Sequence, residues 1–410
     1  MSESSRPFHG WRVVAGAFLV AVFGWGLGFY GPPVYLHALT AAKGWSVALV
    51  SAAITVHYLA GAAMFAMLPR LYARWGLAAV TRAGTVALVA GLLGWAAAAE
   101  PWQLFAATLL TGFGWVTLGA AAINAMVAPW FVRLRPRALS TAYNGASVGG
   151  IVFSPLWVLL IERFGFLPAA AMVGAATIVA VAWFAVRVVA VTPDELGQVA
   201  DGGVAAVAGS AGEAADLPAL PGPALWRDRA FRSLAAGMAL GLFAQIGLLA
   251  HLYSLIAAPL GPGLAGAVAG LATVSAIAGR TLFGWLMPAD ADRRRWSCAS
   301  YGIQAVGVMV LLVSGLKGDG AILAGVLLFG FGIGNATSLP PLIAQAEFRR
   351  EDVARAVPMV VAVAQAAYAF APVAFGLVRA WGGPDAAAML LLTIAVQALA
   401  VTAFLSGRRR

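Results

Sequence analysis

Leu109-Leu110-Thr111-Gly112-Phe113-Gly114 returns 218 residues later as Leu327-Leu328-Phe329-Gly330-Phe331-Gly332, with only the third residue changed. At the same offset Arg137-Ala138 falls on Arg355-Ala356 and Tyr35 on Tyr253, while Leu68-Pro69 falls on Met287-Pro288 one residue further on. Each match alone is slight. Together, at nearly one spacing and in apolar stretches of corresponding rank, they describe a duplicated chain, the parallel repeat expected of a two-half carrier.

The apolar stretches carry the argument outward. Of the 410 residues 62% are hydrophobic and only 10% charged, and the mean hydropathy is +0.88. Those values exclude a soluble multidomain protein. A membrane-spanning helix needs about 20 apolar residues. Twelve such stretches are present, numbered here as spans 1 to 12: 10–38, 46–70, 77–99, 102–130, 138–162, 167–190, 232–257, 264–288, 297–316, 320–345, 355–380 and 385–406. They lack the two-residue alternation of β-barrel strands. The fold class is therefore all-α membrane protein, twelve transmembrane helices in two pseudo-symmetric six-helix halves. Residues 1–191 form the first half and 228–410 the second. The Ala-, Gly- and Asp-rich segment 192–227 shows no periodicity and reads as a flexible linker.

Charge sets the expected orientation. With the N-terminus inside, 21 cations fall at inner loops and span ends and only Lys43, Arg163, Lys317 and Arg379 at the outside, which leaves Arg280 deep within a span. The positive-inside rule then predicts both termini in the cytoplasm. This distribution accounts for the formal charge of +10 better than nucleic-acid binding would, because the arginines form no continuous face. The N-terminus lacks a signal-peptide pattern, so span 1 is expected to be retained. The lone Cys298 and the scattered His9, His37, His57 and His251 supply no metal cluster and no nucleophile with a base. The glycine clusters lack a following Lys-Ser or Lys-Thr and are not phosphate loops. Neither an enzyme nor a bound cofactor is expected.

At this point the sequence resembles the major facilitator superfamily. The loop Leu68-Pro-Arg70-Leu-Tyr-Ala-Arg74-Trp-Gly76 and its echo Gly284-Trp-Leu-Met-Pro-Ala-Asp290-Ala-Asp-Arg293-Arg-Arg are degenerate forms of that superfamily's loop signature, with the acid only in the second copy. More specific stretches resemble the monocarboxylate porter branch and its bacterial oxalate/formate-antiporter-like members. They are Gly10-Trp11-Arg12-Val13-Val14, Gly44-Trp45-Ser46, Trp130-Phe131-Val-Arg133-Leu-Arg135-Pro-Arg137-Ala138, Gly145-Ala-Ser-Val-Gly149-Gly150, Thr192-Pro193-Asp194-Glu195-Leu196-Gly197 with Asp201-Gly202, and Gly279-Arg280. The resemblance implies the major facilitator fold, a monomer in a bacterial inner membrane, and alternating-access transport of a small organic anion by proton symport or anion exchange. It also implies that spans 1, 4, 7 and 10 line the cavity, and that the loop residues Arg70, Arg74, Arg133, Arg135, Arg137, Asp290 and Arg293 brace the inner gate.

Arg280 is the residue with the most chemistry. All sixteen acidic residues map to loops or span ends, so no carboxylate inside the membrane can pair with it. An arginine at that depth costs roughly 2.5 to 3.5 kcal/mol and normally faces a water-filled path or a partner. A planar guanidinium matches a carboxylate with two parallel bonds, which makes the cargo the natural counter-ion. The alternatives are snorkelling and bonding to backbone carbonyls. His251 in span 7 is a candidate proton carrier or hydrogen-bond donor, against the alternative of a neutral ring satisfied by a neighbouring helix. Tyr30, Asn124, Asn335 and Tyr368 are candidate cavity residues, each weighed against ordinary inter-helix bonding. Phe331 is a candidate apolar wall.

One membrane arginine argues for one carboxylate per cargo. The expected substrate is a lactate- or pyruvate-like monocarboxylate moving with a proton, with lipid around the protein. An exchanger of the oxalate/formate type is the alternative. A drug or metabolite exporter is another, although a cationic drug would call for an intramembrane acid.

Overall fold

The computed structural model describes residues 7–203, 220, 222–381 and 386–408. Among these every regular element is helical. Ten helices are long and apolar enough to cross a membrane. One of them, Val47–Ala97, is 51 residues long and crosses twice. At 1.5 Å per residue it would measure about 75 Å, more than twice the ~30 Å hydrocarbon core. Gly76, at φ 75° and ψ 159°, breaks it at the turn expected between spans 2 and 3. Span 10 completes the set: Asp319–Ile333 is short by itself and continues through Leu339–Glu347. The twelve-helix, two-half architecture read from the repeat is the one observed.

Four spans cross as two helices each: span 1 (Gly10–Gly28, Gly31–Lys43), span 4 (Pro101–Val116, Ala120–Val127), span 10, and span 11 (Arg350–Tyr368, Ala371–Trp381). The causes are local. Pro32 and Pro33 sit at the start of the second helix of span 1, Pro340 and Pro341 play the same part in span 10, and span 4 breaks at Gly119, whose backbone is extended. Proline has no N–H to give the preceding turn, so carbonyls are released inside the bundle. Irregular backbone at membrane depth survives only where protein or a cavity supplies partners.

Spans 1 to 6 pack among themselves, as do spans 7 to 12, and two seams join the halves: span 2 on span 11 and span 5 on span 8. Within the first half the glycines of span 5 permit near backbone contact. A Cβ on Gly145 would lie 2.2 Å from the Phe18 carbonyl oxygen, and one on Gly149 would lie 2.5 Å from that of Val22.

The expected flexible linker 192–227 needs correction at both ends. Residues 192–203 are folded against the first half. Gln198 accepts from the His9 backbone N–H at 2.9 Å and donates to the Pro7 carbonyl at 3.3 Å. The Asp201 carboxylate accepts the backbone N–H groups of Val132, Arg133 and Leu134 at 2.7–3.2 Å, and its own N–H donates to Trp130. Asp201 thus caps span 5 from a distance in sequence, in a left-handed conformation (φ 59°) that Asp tolerates. At the other end, Leu220 is held through its N–H by Asp352 at the start of span 11. Residues 204–219 lie outside the described residues. Side-chain capping leaves no periodic trace, which is why composition alone read a linker here. Asp201→Ala should cost roughly 2 kcal/mol, the scale of hydrogen bonds to a buried charge, and lower the melting temperature. Asp201→Asn should cost less.

Candidate functional site

Arg280 sits on span 8 (Pro262–Leu286), in the seam between the halves, and is 5% exposed. It reaches that position because spans 8 and 10 touch backbone to backbone: a Cβ on Gly279 would lie 1.9 Å from the Phe331 carbonyl oxygen. Its guanidinium neither snorkels nor faces lipid. Nε donates to the Gly334 carbonyl at 2.5 Å, a carbonyl at the break of span 10. Nη1 crosses to span 5 (Arg135–Phe164) and donates to the Tyr143 carbonyl at 2.8 Å, Asn144 Oδ1 at 3.2 Å and Ser147 Oγ at 3.3 Å. Nη2 has no bond to a described residue. The seam is tied again next door. Ser140 Oγ donates to the Arg280 carbonyl at 2.8 Å, and Asn144 Nδ2 donates to Thr281 Oγ1 at 2.8 Å.

This corrects the premise that only a guest could satisfy the arginine. No carboxylate among the described residues meets it, but protein oxygens do, and three of the four acceptors belong to the opposite half. Tyr143, Asn144, Ser147 and Gly334 are the residues that sequence reading missed. The available signal was Asn144, a polar residue beside the glycines of span 5.

Tyr30 lies at the break of span 1, its ring stacked against the Cα of Gly150, where a Cβ would be 2.5 Å from the ring, and within electrostatic reach of Arg280. Asn335 follows Gly334 at the break of span 10; it is 1% exposed and its Nδ2 has no partner among the described residues. These two share the neighbourhood of Arg280. Tyr368 belongs to the other seam, where its hydroxyl donates to Gln365 Oε1 at 3.1 Å, Gln365 Nε2 donates to the Tyr58 carbonyl of span 2 at 2.8 Å, and its ring meets Tyr58 edge-on at 5.7 Å.

The remaining candidates take other places. Asn124, in the second helix of span 4, accepts from Gln345 Nε2 across the halves at 2.5 Å, at the end of the bundle where the termini lie. It is a gate contact in this structure. His251 bonds within its own half, with Nε2 3.1 Å from the Pro372 carbonyl at the break of span 11. Phe331 packs edge-on against Phe283 at 6.2 Å inside the second half rather than forming a wall against the opposite one.

Among the expected gate residues, Arg135 spans the halves: Nη1 donates to Gln345 Oε1 at 3.2 Å, while Nε and Nη2 hold the Phe131 and Ala128 carbonyls. Arg137 lies between Trp11 and Trp285, 4.3 Å from the second ring. Arg293 donates to the Leu342 carbonyl at 2.9 Å and to Ala289. Arg70, Arg74, Arg133 and Asp290 are exposed, and Asp290 enters no ion pair among the described residues. The terminus end is thus closed by Arg135, Asn124 and Gln345, and by Gly284 resting against Ser140 and the Pro136 carbonyl. Toward the far end no hydrogen bond among the described residues joins spans 5 and 8 beyond Ser147.

Two six-helix halves meeting at broken helices, with a buried guanidinium tied across the seam, define a membrane carrier. The chain belongs to the Major Facilitator Superfamily, whose family model matches residues 14–372. Monocarboxylate transporter 11 of Homo sapiens is 30% identical over 176 residues, 41% of this chain and 36% of that protein. MFS-type transporter 1 of Ophiocordyceps sp. (strain BCC 1869) is 30% identical over 171 residues, 41% of this chain and 37% of that one. The chain therefore spans little more than a third of the curated relatives it matches. Among solved structures, the proton:xylose symporter XylE bound to 6-bromo-6-deoxy-D-glucose superimposes with TM-score 0.73 at 13% identity, covering 96% of this chain and 95% of that one. The human organic anion transporter MFSD10 (TETRAN) gives 0.68 at 15%, covering 97% and 100%. At these identities the two structures show the fold. The protein is an integral membrane transporter, not an enzyme.

Proposed function

We propose that this transporter carries a small monocarboxylate together with a proton by alternating access, that Arg280 receives the carboxylate, and that both termini face the cytoplasm. The observation that carries the reading is the guanidinium itself, buried between the halves with Nη2 uncommitted. A carboxylate approaching Nη2 completes a two-point contact by taking Nη1 from the Tyr143 carbonyl and Asn144. A carboxylate brings a full negative charge and two oxygens that match the planar fork of Nη1 and Nη2, which a neutral carbonyl does not, so the exchange favours the guest. What it gives up is inter-half bonding, because those acceptors lie on span 5. Loading the site therefore loosens the seam that must open, which is the differential interaction alternating access requires. With the termini inside, the closed end is the cytoplasmic one. The partial likeness to a monocarboxylate transporter and the fold shared with an organic anion transporter agree with an anionic cargo.

The test is uptake of radiolabelled pyruvate and lactate into proteoliposomes. An inward proton gradient, acidic outside the vesicle, should raise initial uptake severalfold, since a co-transported proton adds its gradient to that of the anion. Uptake indifferent to that gradient and accelerated by internal anion would establish exchange instead. No saturable uptake of any small carboxylate would refute the anion reading.

A further inference from the structure

His57, buried on span 2, makes contacts that the transport reading leaves unexplained. In a continuous span 1 the Gly28 carbonyl would accept from the N–H of residue 32, and the Phe29 carbonyl from that of residue 33. Those residues are Pro32 and Pro33, which have none to give. The Gly28 carbonyl is met instead by His57 Nε2 at 3.0 Å. A carbonyl only accepts, so Nε2 carries the hydrogen. On the other side of the ring, Nδ1 lies 2.9 Å from Thr111 Oγ1 of span 4, which also accepts from Trp95 Nε1 of span 3 at 3.2 Å. The imidazole stacks on Trp115 at 5.5 Å and 24°, and Trp115 is packed so closely on Gly28 that a Cβ there would lie 2.2 Å from its ring. Four spans thus converge on one released carbonyl. The next residue, Tyr58, faces the opposite half, where its carbonyl and ring take Gln365 and Tyr368.

We propose that His57 is the pin of a hinge in span 1: by replacing the donor that Pro32 lacks, it fixes the angle of the outer helix Gly31–Lys43 and so places Tyr30, at the hinge, against Gly150 of span 5, about one turn from the Ser147 that holds Arg280. His57 is on this account a positioning residue, and the outer helix of span 1 is a gate element whose setting is tied through Tyr58 to the seam of spans 2 and 11. The role of Tyr30 rests on the carrier reading, whereas the pin itself does not.

Hydrogen exchange by mass spectrometry on the full chain in nanodiscs tests the pin without transport. His57→Leu should speed exchange in peptides covering 27–43 about tenfold or more, with peptides of span 7 unchanged, because local opening is governed by local bonds. His57→Gln, which keeps an N–H donor at a similar reach, should stay within about threefold of the parent protein. Thr111→Val, which frees Nδ1 and lets the ring turn, should fall between them. Exchange in 27–43 unaltered by His57→Leu overturns the proposal, as does a His57→Gln protein that exchanges like the Leu variant. If His57→Leu does not fold, the Gln and Thr111→Val pair decides by the same criteria. In proteoliposomes with pyruvate as probe, the Leu variant should raise KM about tenfold with Gln close to the parent protein, since mispositioning a contact weakens binding. Altered exchange with unaltered KM overturns the placement of Tyr30. Absence of pyruvate uptake in the parent protein counts against the carrier reading, and exchange still decides the hinge.

Discussion

Arg280→Ala is expected to remove saturable anion uptake, reducing kcat/KM by roughly 100-fold or more, while leaving a folded protein in the membrane. The size follows from the role assigned to the guanidinium. Truncating one partner of a buried hydrogen-bonded charge pair costs about 2 to 5 kcal/mol, and each 1.4 kcal/mol is tenfold. Arg280→Lys keeps the charge but loses the planar fork. A lysine can offer one donor to the guest or bridge to the Tyr143 carbonyl, not both with the same geometry, so intermediate activity is expected. The variants also report on the seam. Removing the side chain deletes every bond now made by Nε and Nη1, leaving Tyr143, Gly334 and Asn144 without that donor. A purely structural arginine would therefore lower thermal stability as much as Lys or Ala lowers transport. Measuring melting temperature beside initial rate separates the two. Transport at the parental rate in Arg280→Ala, at equal membrane abundance, would remove the anion-site assignment.

The architecture was legible because the bilayer simplifies it. Twelve apolar stretches and a 218-residue echo carry the spans and the two halves, and the observed helices start and stop within a few residues of the expected ranges. The site was legible only in part, for one physical reason: its acceptors are backbone. Arg280 stands out as a letter, since a cation in an apolar run is anomalous. The Gly334 and Tyr143 carbonyls that hold it do not, because every residue has one. Their availability depends on helix breaks and on which faces meet. Depth along span 4 was also legible but not used: Asn124 lies past its middle, toward the end of the second helix, and meets Gln345 at the gate. The proline pair at 32–33 was the available signal, since Pro32 leaves the Gly28 carbonyl to be met by a polar side chain. His57 was read among the four scattered histidines, without its partner, which Pro32 names once the four-residue helical register is followed.

The run Arg293-Arg294-Arg295 shows the same limit from the side of charge, and yields the largest expected effect on stability. Sequence reading counted all three among the inner cations and gave only Arg293 a place at the gate. Arg294 is buried instead, 1% exposed, on span 9 (Arg293–Val313). All five of its N–H donors are used. Nε and Nη2 grip the two Glu347 oxygens at 2.6 and 2.8 Å in a two-point fork, Nη1 donates to Ser233 Oγ and the Phe404 carbonyl, and Nη2 donates also to the Ala230 carbonyl. One side chain thus ties spans 7, 9, 10 and 12 at the terminus end of the second half. At the repeat offset its counterpart is Gly76, so the first half has no such knot and must hold that end by other means, Asp201 among them. Arg294→Ala leaves a largely buried carboxylate and two carbonyls without their donor. Breaking a buried pair from one side costs about 3 to 5 kcal/mol, which should appear as a marked fall in melting temperature and in yield from the membrane. The double variant Arg294→Met with Glu347→Leu removes both charges and should recover much of that loss, because replacing a buried ion pair with apolar side chains is often neutral. A double variant no more stable than Arg294→Ala would mean that the carbonyl contacts, rather than the ion pair, hold this end together.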